Sequence, residues 1–293
     1  MLHIQGQFAG QAGLAMYYQR WSAEKPCKAV LGLIHGLGSH SGWFAHFAQS
    51  LAAQGYWVYG YDLRGHGRSV GQRGYINRWS EFRDDLAAFH RLIQTENPTQ
   101  PIFMLGHSLG GVIALDYALH YPHGLSGLIT MAPAVGPVGI APVKLAIGQI
   151  LSQVWPRFTL NSGIAPDSGS HDGAIVTAYN TDPLRHSKGT ARLVTEYLAT
   201  THFIQSQLQQ LTLPILILHG SSDKVALPES SRYLFKELRS EDKEYREYAG
   251  AYHDLHNDSC APKVTQDMVN WLERQINHQP RFCKLNDSQL ALA

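Results

Sequence analysis

The chain has 293 residues, enough to bury a full core as one large α/β domain. Lys plus Arg number 24 against 23 for Asp plus Glu, a net charge of +1. No basic run or aromatic–basic stripe occurs, so nothing argues for nucleic acid as a partner. Cys27, Cys260 and Cys283 are odd in number and far apart, which excludes a disulfide framework and zinc-type spacing and fits a reducing compartment.

The opening MLHIQGQFAGQAGLAMYYQRW has no positive start and no continuous apolar stretch, so no signal peptide is expected. No apolar run reaches the length needed to cross a bilayer, and a cytoplasmic location is the expectation. The 16 histidines are scattered. His253 and His256 lie close together, but no neighbouring Cys or carboxylate set completes a metal site, so neither metal nor cofactor is expected.

In chain order, Leu14 to Trp21 reads as an edge strand, with Glu24-Lys25-Pro26 as the turn closing a hairpin. Ala29 to Ile34 is a nearly continuous apolar run, as expected of a strand buried on both faces, and it enters the glycine-rich turn His35-Gly36-Leu37-Gly38. Phe44, Phe47, Ala48, Leu51 and Ala52 then follow helical spacing, and Gly55 ends that helix before a strand at Tyr56 to Tyr61. After the loop Asp62 to Ser69, Phe82, Leu86, Phe89 and Ile93 share one helical face, which Asn97-Pro98 stops. The strand beginning at Ile102 runs into Gly106-His107-Ser108-Leu109-Gly110-Gly111, and an apolar helix follows until Tyr121-Pro122. Strand, sharp turn and helix form the context in which Gly-x-Ser-x-Gly is a nucleophile elbow, and the alternative is a small serine in a glycine-rich turn.

A further strand is expected at Leu125 to Met131. From Pro133 to about Leu211 prolines recur and no strand is clear. Val143 to Trp155 is a mostly apolar helix whose lone charge is Lys144, and it reads either as a core helix or as a lid presenting apolar surface to lipid. The sheet resumes at Pro214 to Gly220, with a helix near Ser230 to Leu238, a strand near Lys243 to Tyr248 and a closing helix through Val264, Met268, Trp271, Leu272 and Ile276. This alternation implies a mostly parallel sheet with helices on both faces, whose ligands sit at the carboxyl ends of the strands. The core is expected to be discontinuous, 1–134 and 212–293 with a loose tail from about 278, and residues 135–211 to be an inserted lid.

A serine hydroxyl is a poor nucleophile until a base takes its proton, and the base needs a carboxylate to orient it. In sheets of this kind the order is serine, acid, histidine. Asp223 and His253 each follow a buried strand downstream of Ser108, so the three can converge at one rim although 115 and 30 residues separate them. His219, His256 and Asp254 are the nearest rivals, and His219 is expected to shape the loop. The oxyanion donors are expected to be the backbone N–H groups of Leu109 and Leu37, each worth about 3–4 kcal/mol in a transition state.

Together these pieces resemble the α/β-hydrolase superfamily, and more closely its monoacylglycerol lipase and lysophospholipase branch. The matching segments are His35 to Ser41, Asp62 to Ser69, Gly106 to Gly111, His219 to Asp223, Gly250 to His253 and Tyr179-Asn180-Thr181-Asp182-Pro183-Leu184. The resemblance implies an eight-stranded, mostly parallel sheet with an inserted helical lid, a triad of Ser108, Asp223 and His253, and oxyanion amides at Leu37 and Leu109. It further implies hydrolysis of a single-chain lipid ester, most simply a monoacylglycerol, without a cofactor, and peripheral membrane contact through the lid. A lysophospholipase, a general carboxylesterase and a non-catalytic lipid-binding protein are the rival readings. Lys144 and Arg157 are the only clear basic candidates in the lid before Arg185, which disfavours phosphate-bearing substrates. Leu37 stands where a smaller residue is frequent, and Asp254 where glutamate is frequent.

Overall fold

The computed structural model describes residues 1–135 and 142–278; the expected tail beyond 278, with Cys283, and the insertion's residues 136–141 lie outside the described residues. The strands are β1 (Leu2–Ala9), β2 (Ala15–Ser22), β3 (Ala29–Ile34), β4 (Tyr56–Tyr61), β5 (Ile102–His107), β6 (Gly127–Met131), β7 (Thr159–Asn161), β8 (Lys188–Thr190), β9 (Ile215–Gly220) and β10 (Lys243–Tyr248). The α-helices are α1 (Ala45–Ala53), α2 (Ser80–Glu96), α3 (Leu109–His120), α4 (Pro142–Val154), α5 (Gly173–Thr181), α6 (Ala191–Gln207), α7 (Pro228–Glu237) and α8 (Ala261–His278).

Eight strands form one sheet in the order β1-β2-β4-β3-β5-β6-β9-β10. From β4 to β10 neighbours run parallel, and β2 joins β4 antiparallel. The apolar runs are explained by what covers them. In β3, Val30 and Ile34 face a core shared with Phe82, Leu86, Phe89 and Ile93 of α2 and with the apolar face of α3. Leu31 and Leu33 face the opposite core with Phe47 and Leu51 of α1 and Met268, Trp271 and Leu272 of α8. Alternate residues of each central strand thus enter different cores, so no polar face survives.

The expected hairpin at Glu24-Lys25-Pro26 does not form. β2 instead pairs antiparallel with β1, from Leu2↔Ser22 to Ala9↔Ala15, and β1 is the edge strand. The chain reverses through Ala12 and Gly13, both at positive φ (56° and 76°), with Gly10 N–H donating to Leu14 O at 2.8 Å. β3 cannot be the hairpin partner because its two neighbours are β4 and β5. The signal for β1 is the alternation of Leu2, Ile4 and Phe8 with His3, Gln5 and Gln7.

Between β6 and β9 lie α4, β7, α5, β8 and α6, and the short β7–β8 antiparallel pair is structure that the proline-rich composition hides. α6 belongs to the core through Leu193 and Ile204, and it is tied to the end of β6 by Tyr197 Oη donating to Ala134 O and Gln205 Nε2 donating to Val135 O. α4 meets α6 through Ser152 Oγ and Thr195 Oγ1, 2.8 Å apart. Its other face carries Ile147, Ile150 and Val154 at 53, 63 and 80 % exposure, so this face is not packed in a core. Among the described residues no helix is long and apolar enough to cross a membrane.

Candidate active site

β5 ends at His107, and the chain turns at Ser108 into α3 with φ 53° and ψ −118°, a region that non-glycine residues rarely occupy. The turn is locked on both sides. Ser108 N–H donates to Met131 O at 3.0 Å, while Ser108 O accepts from Gly111 N at 2.9 Å. Glycine is needed at 106 and 110 for close approach. A Cβ on Gly106 would lie 2.4 Å from Gly110 O, and one on Gly110 would lie 2.2 Å from Ile34 O. Neighbouring Gly36 brings the 35–38 turn against the elbow, since a Cβ there would lie 3.0 Å from Ser108 Cβ.

That turn is held by His35, whose buried ring donates from Nδ1 to Gly36 O (2.8 Å) and accepts Leu63 N–H at Nε2 (2.9 Å). Burial pushes its pKa down to about 3, which keeps this neutral tautomer in place. Among the described residues the backbone N–H groups of Leu37 and Leu109 make no hydrogen bond, so both donors remain available to a ligand.

Asp223 follows β9. Its Oδ1 accepts the N–H groups of Val225 (2.7 Å) and Ala226 (3.0 Å), and its Oδ2 lies 2.6 Å from His253 Nδ1 and 3.1 Å from His219 Nε2. His219 Nε2 also faces Ala226 O at 2.8 Å, so it donates, and Nδ1 accepts from Ser231 Oγ at 2.7 Å. His219 therefore fastens the acid-bearing loop to α7. Burial disfavours an ionised Asp223, but the His253 imidazole and the hydrogen bonds from His219 and His253 outweigh it and hold the carboxyl well below the usual range. For His253 burial lowers the pKa, yet the Asp223 carboxylate, with Asp254 behind it, carries it above the ordinary 6.5.

With Nδ1 committed to Asp223, the His253 Nε2 is the nitrogen left for chemistry. His253 and Ser108 line one cavity of about 320 Å³ together with Leu37, Val225, Tyr179 and Arg185. Among the described residues the Ser108 hydroxyl makes no hydrogen bond. Such an arrangement suits acyl transfer: a half-buried hydroxyl on a strained backbone, an oriented imidazole and two unpaired amides, all at one cavity.

Two features were not readable from spacing. His107, Asp254 and His256 bring one metal-ligating atom each within 4.8 Å of one another, a buried group in which Asp254 and His256 are close in sequence and His107 is supplied across the fold. His107 Nε2 lies 3.2 Å from Asp254 Oδ1 and 3.3 Å from His253 O. The second is the insertion's contribution to the cavity. Asp182 Oδ2 accepts from His40 Nε2 and Trp43 Nε1, both at 2.8 Å, and places Tyr179 and Arg185 on the cavity wall. Only the 179–184 segment signalled this, and without indicating a role. In contrast, the loop around Arg64 is structural: Arg64 Nε and Nη2 grip buried Asp85 at 2.6 and 2.9 Å, and Nη1 meets Glu81 at 2.9 Å.

A family model described as serine aminopeptidase, S33 matches residues 25–260. The chain is 33% identical over 267 residues to a monoacylglycerol lipase of Mycolicibacterium smegmatis, covering 90% of this chain and 95% of that protein. It is 30% identical over 270 residues to the monoglyceride lipase of Rattus norvegicus, covering 91% of this chain and 88% of that one. The crystal structure of Paleococcus ferrophilus monoacylglycerol lipase matches with a TM-score of 0.79 at 27% identity, over 94% of this chain and 100% of that chain. With the sheet order, the elbow and these likenesses together, the chain belongs to the α/β-hydrolase superfamily and, within it, to the monoacylglycerol lipase branch.

Proposed function

We propose that this carboxylic ester hydrolase cleaves monoacylglycerol to glycerol and fatty acid through an acyl-enzyme on Ser108. Ser108 Oγ attacks the ester carbonyl carbon while His253 Nε2 takes its proton, and the N–H groups of Leu37 and Leu109 receive the oxyanion. Collapse breaks the bond between the carbonyl carbon and the glycerol oxygen, and His253 returns its proton to the departing glycerol. Water, deprotonated by the same imidazole, then attacks the acyl-enzyme, and the fatty acid leaves as Ser108 regains its hydrogen. Asp223 stabilises the imidazolium formed in each half. What supports this most is the 2.6 Å contact between His253 Nδ1 and Asp223 Oδ2, in one cavity with a serine held at positive φ.

We further propose that residues 135–211 act as a lid on a core of 1–134 and 212–293, and that the lid touches a membrane surface peripherally. Ile147, Ile150, Val154 and Trp155 are all more than half exposed, and such a patch on a lipid-ester hydrolase has an apolar aggregate as its natural cover. The substrate reading is tested by comparing kcat/KM across a monoacylglycerol, a lysophospholipid and a short-chain ester. Preference for the monoacylglycerol is expected; a preference for short-chain esters contradicts it.

A further inference from the structure

Arg185 sits on the wall of the cavity that holds Ser108 and His253. Its guanidinium carbon lies 3.9 Å from the ring centroid of Tyr179 and 5.7 Å from that of Trp43. The residue is half-buried, and among the described residues its guanidinium makes no hydrogen bond and no ion pair. The acids around it are already engaged. Asp182 accepts from His40, Trp43 and the N–H of Leu184 (2.8 Å), and Asp254 is paired with His107. A partly desolvated cation without a counter-ion is unfavourable, and its cation–π contacts with Tyr179 and, at longer range, Trp43 compensate only in part. Contact with the rings engages none of the guanidinium N–H donors, which stay free in the fork that suits phosphate or carboxylate.

Asn180 and Ser187, which line the same cavity as Arg185, are polar, whereas the exposed face of α4 is apolar. The polar wall therefore suits the alcohol side of the ester. Resting on the reading of Ser108, Asp223 and His253 as an ester-cleaving triad, we infer that Arg185 binds an anionic headgroup there, and that monoacylglycerol phosphates are substrates of the same site. The reaction breaks the same carbonyl–oxygen bond: the acyl group passes to Ser108 and then to water, and glycerol phosphate leaves with the proton from His253. The phosphate ester bond is untouched. The shortage of basic residues in the lid's sequence pointed the other way, because it is the fold that carries Arg185 into the cavity.

The test compares octanoylglycerol with octanoylglycerol 3-phosphate, both below their aggregation concentration, in wild type, Arg185→Gln and Arg185→Lys. Within each protein the readout is the ratio of kcat/KM for the phosphate ester to that for the neutral ester. Wild type is expected to cleave both. The ratio should fall roughly ten- to a hundredfold in Arg185→Gln, chiefly through KM, and by less in Arg185→Lys. A ratio unchanged by Arg185→Gln overturns the inference, as does a wild type that cleaves only the neutral ester. Failure to cleave either ester overturns the triad reading and this inference with it. A measurement needing no variant is product inhibition of wild type: glycerol 3-phosphate should inhibit at lower concentration than glycerol, and equal inhibition contradicts the site.

Discussion

Asp254 Oδ1 lies 3.2 Å from His107 Nε2, one residue after the imidazole of the proposed triad and one before Ser108. Burial opposes charge on Asp254, but His107, by hydrogen bond and charge, holds its carboxyl well below the usual range, so it is an anion close to His253. Its field adds to that of Asp223 in raising the pKa of His253. In its proposed role as base, His253 must be neutral, so kcat/KM is expected to rise with pH through a value above the ordinary 6.5. Asp254→Asn keeps an acceptor for His107 and removes the charge. The acid limb of the kcat/KM profile should move to lower pH; an unmoved or upward-shifted limb refutes this coupling.

Ser108 is held at φ 53° against its preference. Strain of this kind costs about 1–3 kcal/mol, and glycine relieves it whereas alanine does not. Ser108→Gly should therefore melt above Ser108→Ala, by roughly 2–4 °C for each kcal/mol relieved. Equal melting temperatures would mean the elbow is not strained.

Arg64 should matter for stability and not for the chemical step. Arg64→Ala leaves Asp85, fully buried, without its bidentate partner, and breaking such a pair costs about 3–5 kcal/mol. A melting temperature lower by roughly 10 °C with kcat within a few-fold of wild type is expected. A selective loss of kcat without loss of stability would place the loop in the chemistry instead.

The outward face of α4 offers a separate test. Replacing Ile150 and Val154 by Asp removes apolar surface already in water, so the melting temperature should hold while sedimentation with lipid vesicles falls. Unchanged vesicle binding in that double variant contradicts a membrane role for the lid.

The central sheet was readable because strands such as Ala29–Ile34 and Ile215–Gly220 are apolar on both faces, and the places where they end locate Ser108, Asp223 and the 35–38 turn. β1 was missed because an alternation of three apolar residues with Gly6 in its middle is a weak signal until β2 supplies its partner. The hairpin turn was misplaced for the same reason, since strand neighbours depend on sheet order and not on chain order. In the insertion no period guides the eye. Arg185 reaches the cavity because Asp182 is anchored by His40 and Trp43, which lie 142 and 139 residues upstream of it, a distance that no local pattern spans.

The most direct measurement is rapid quenching of enzyme mixed with monoacylglycerol, followed by peptide mass analysis, in wild type and Ser108→Ala. A wild-type peptide carrying one acyl group on Ser108, absent from the variant together with a loss of turnover approaching a millionfold, is the expected result. Hydrolysis by Ser108→Ala at near wild-type rate, or acylation at another residue, would contradict it.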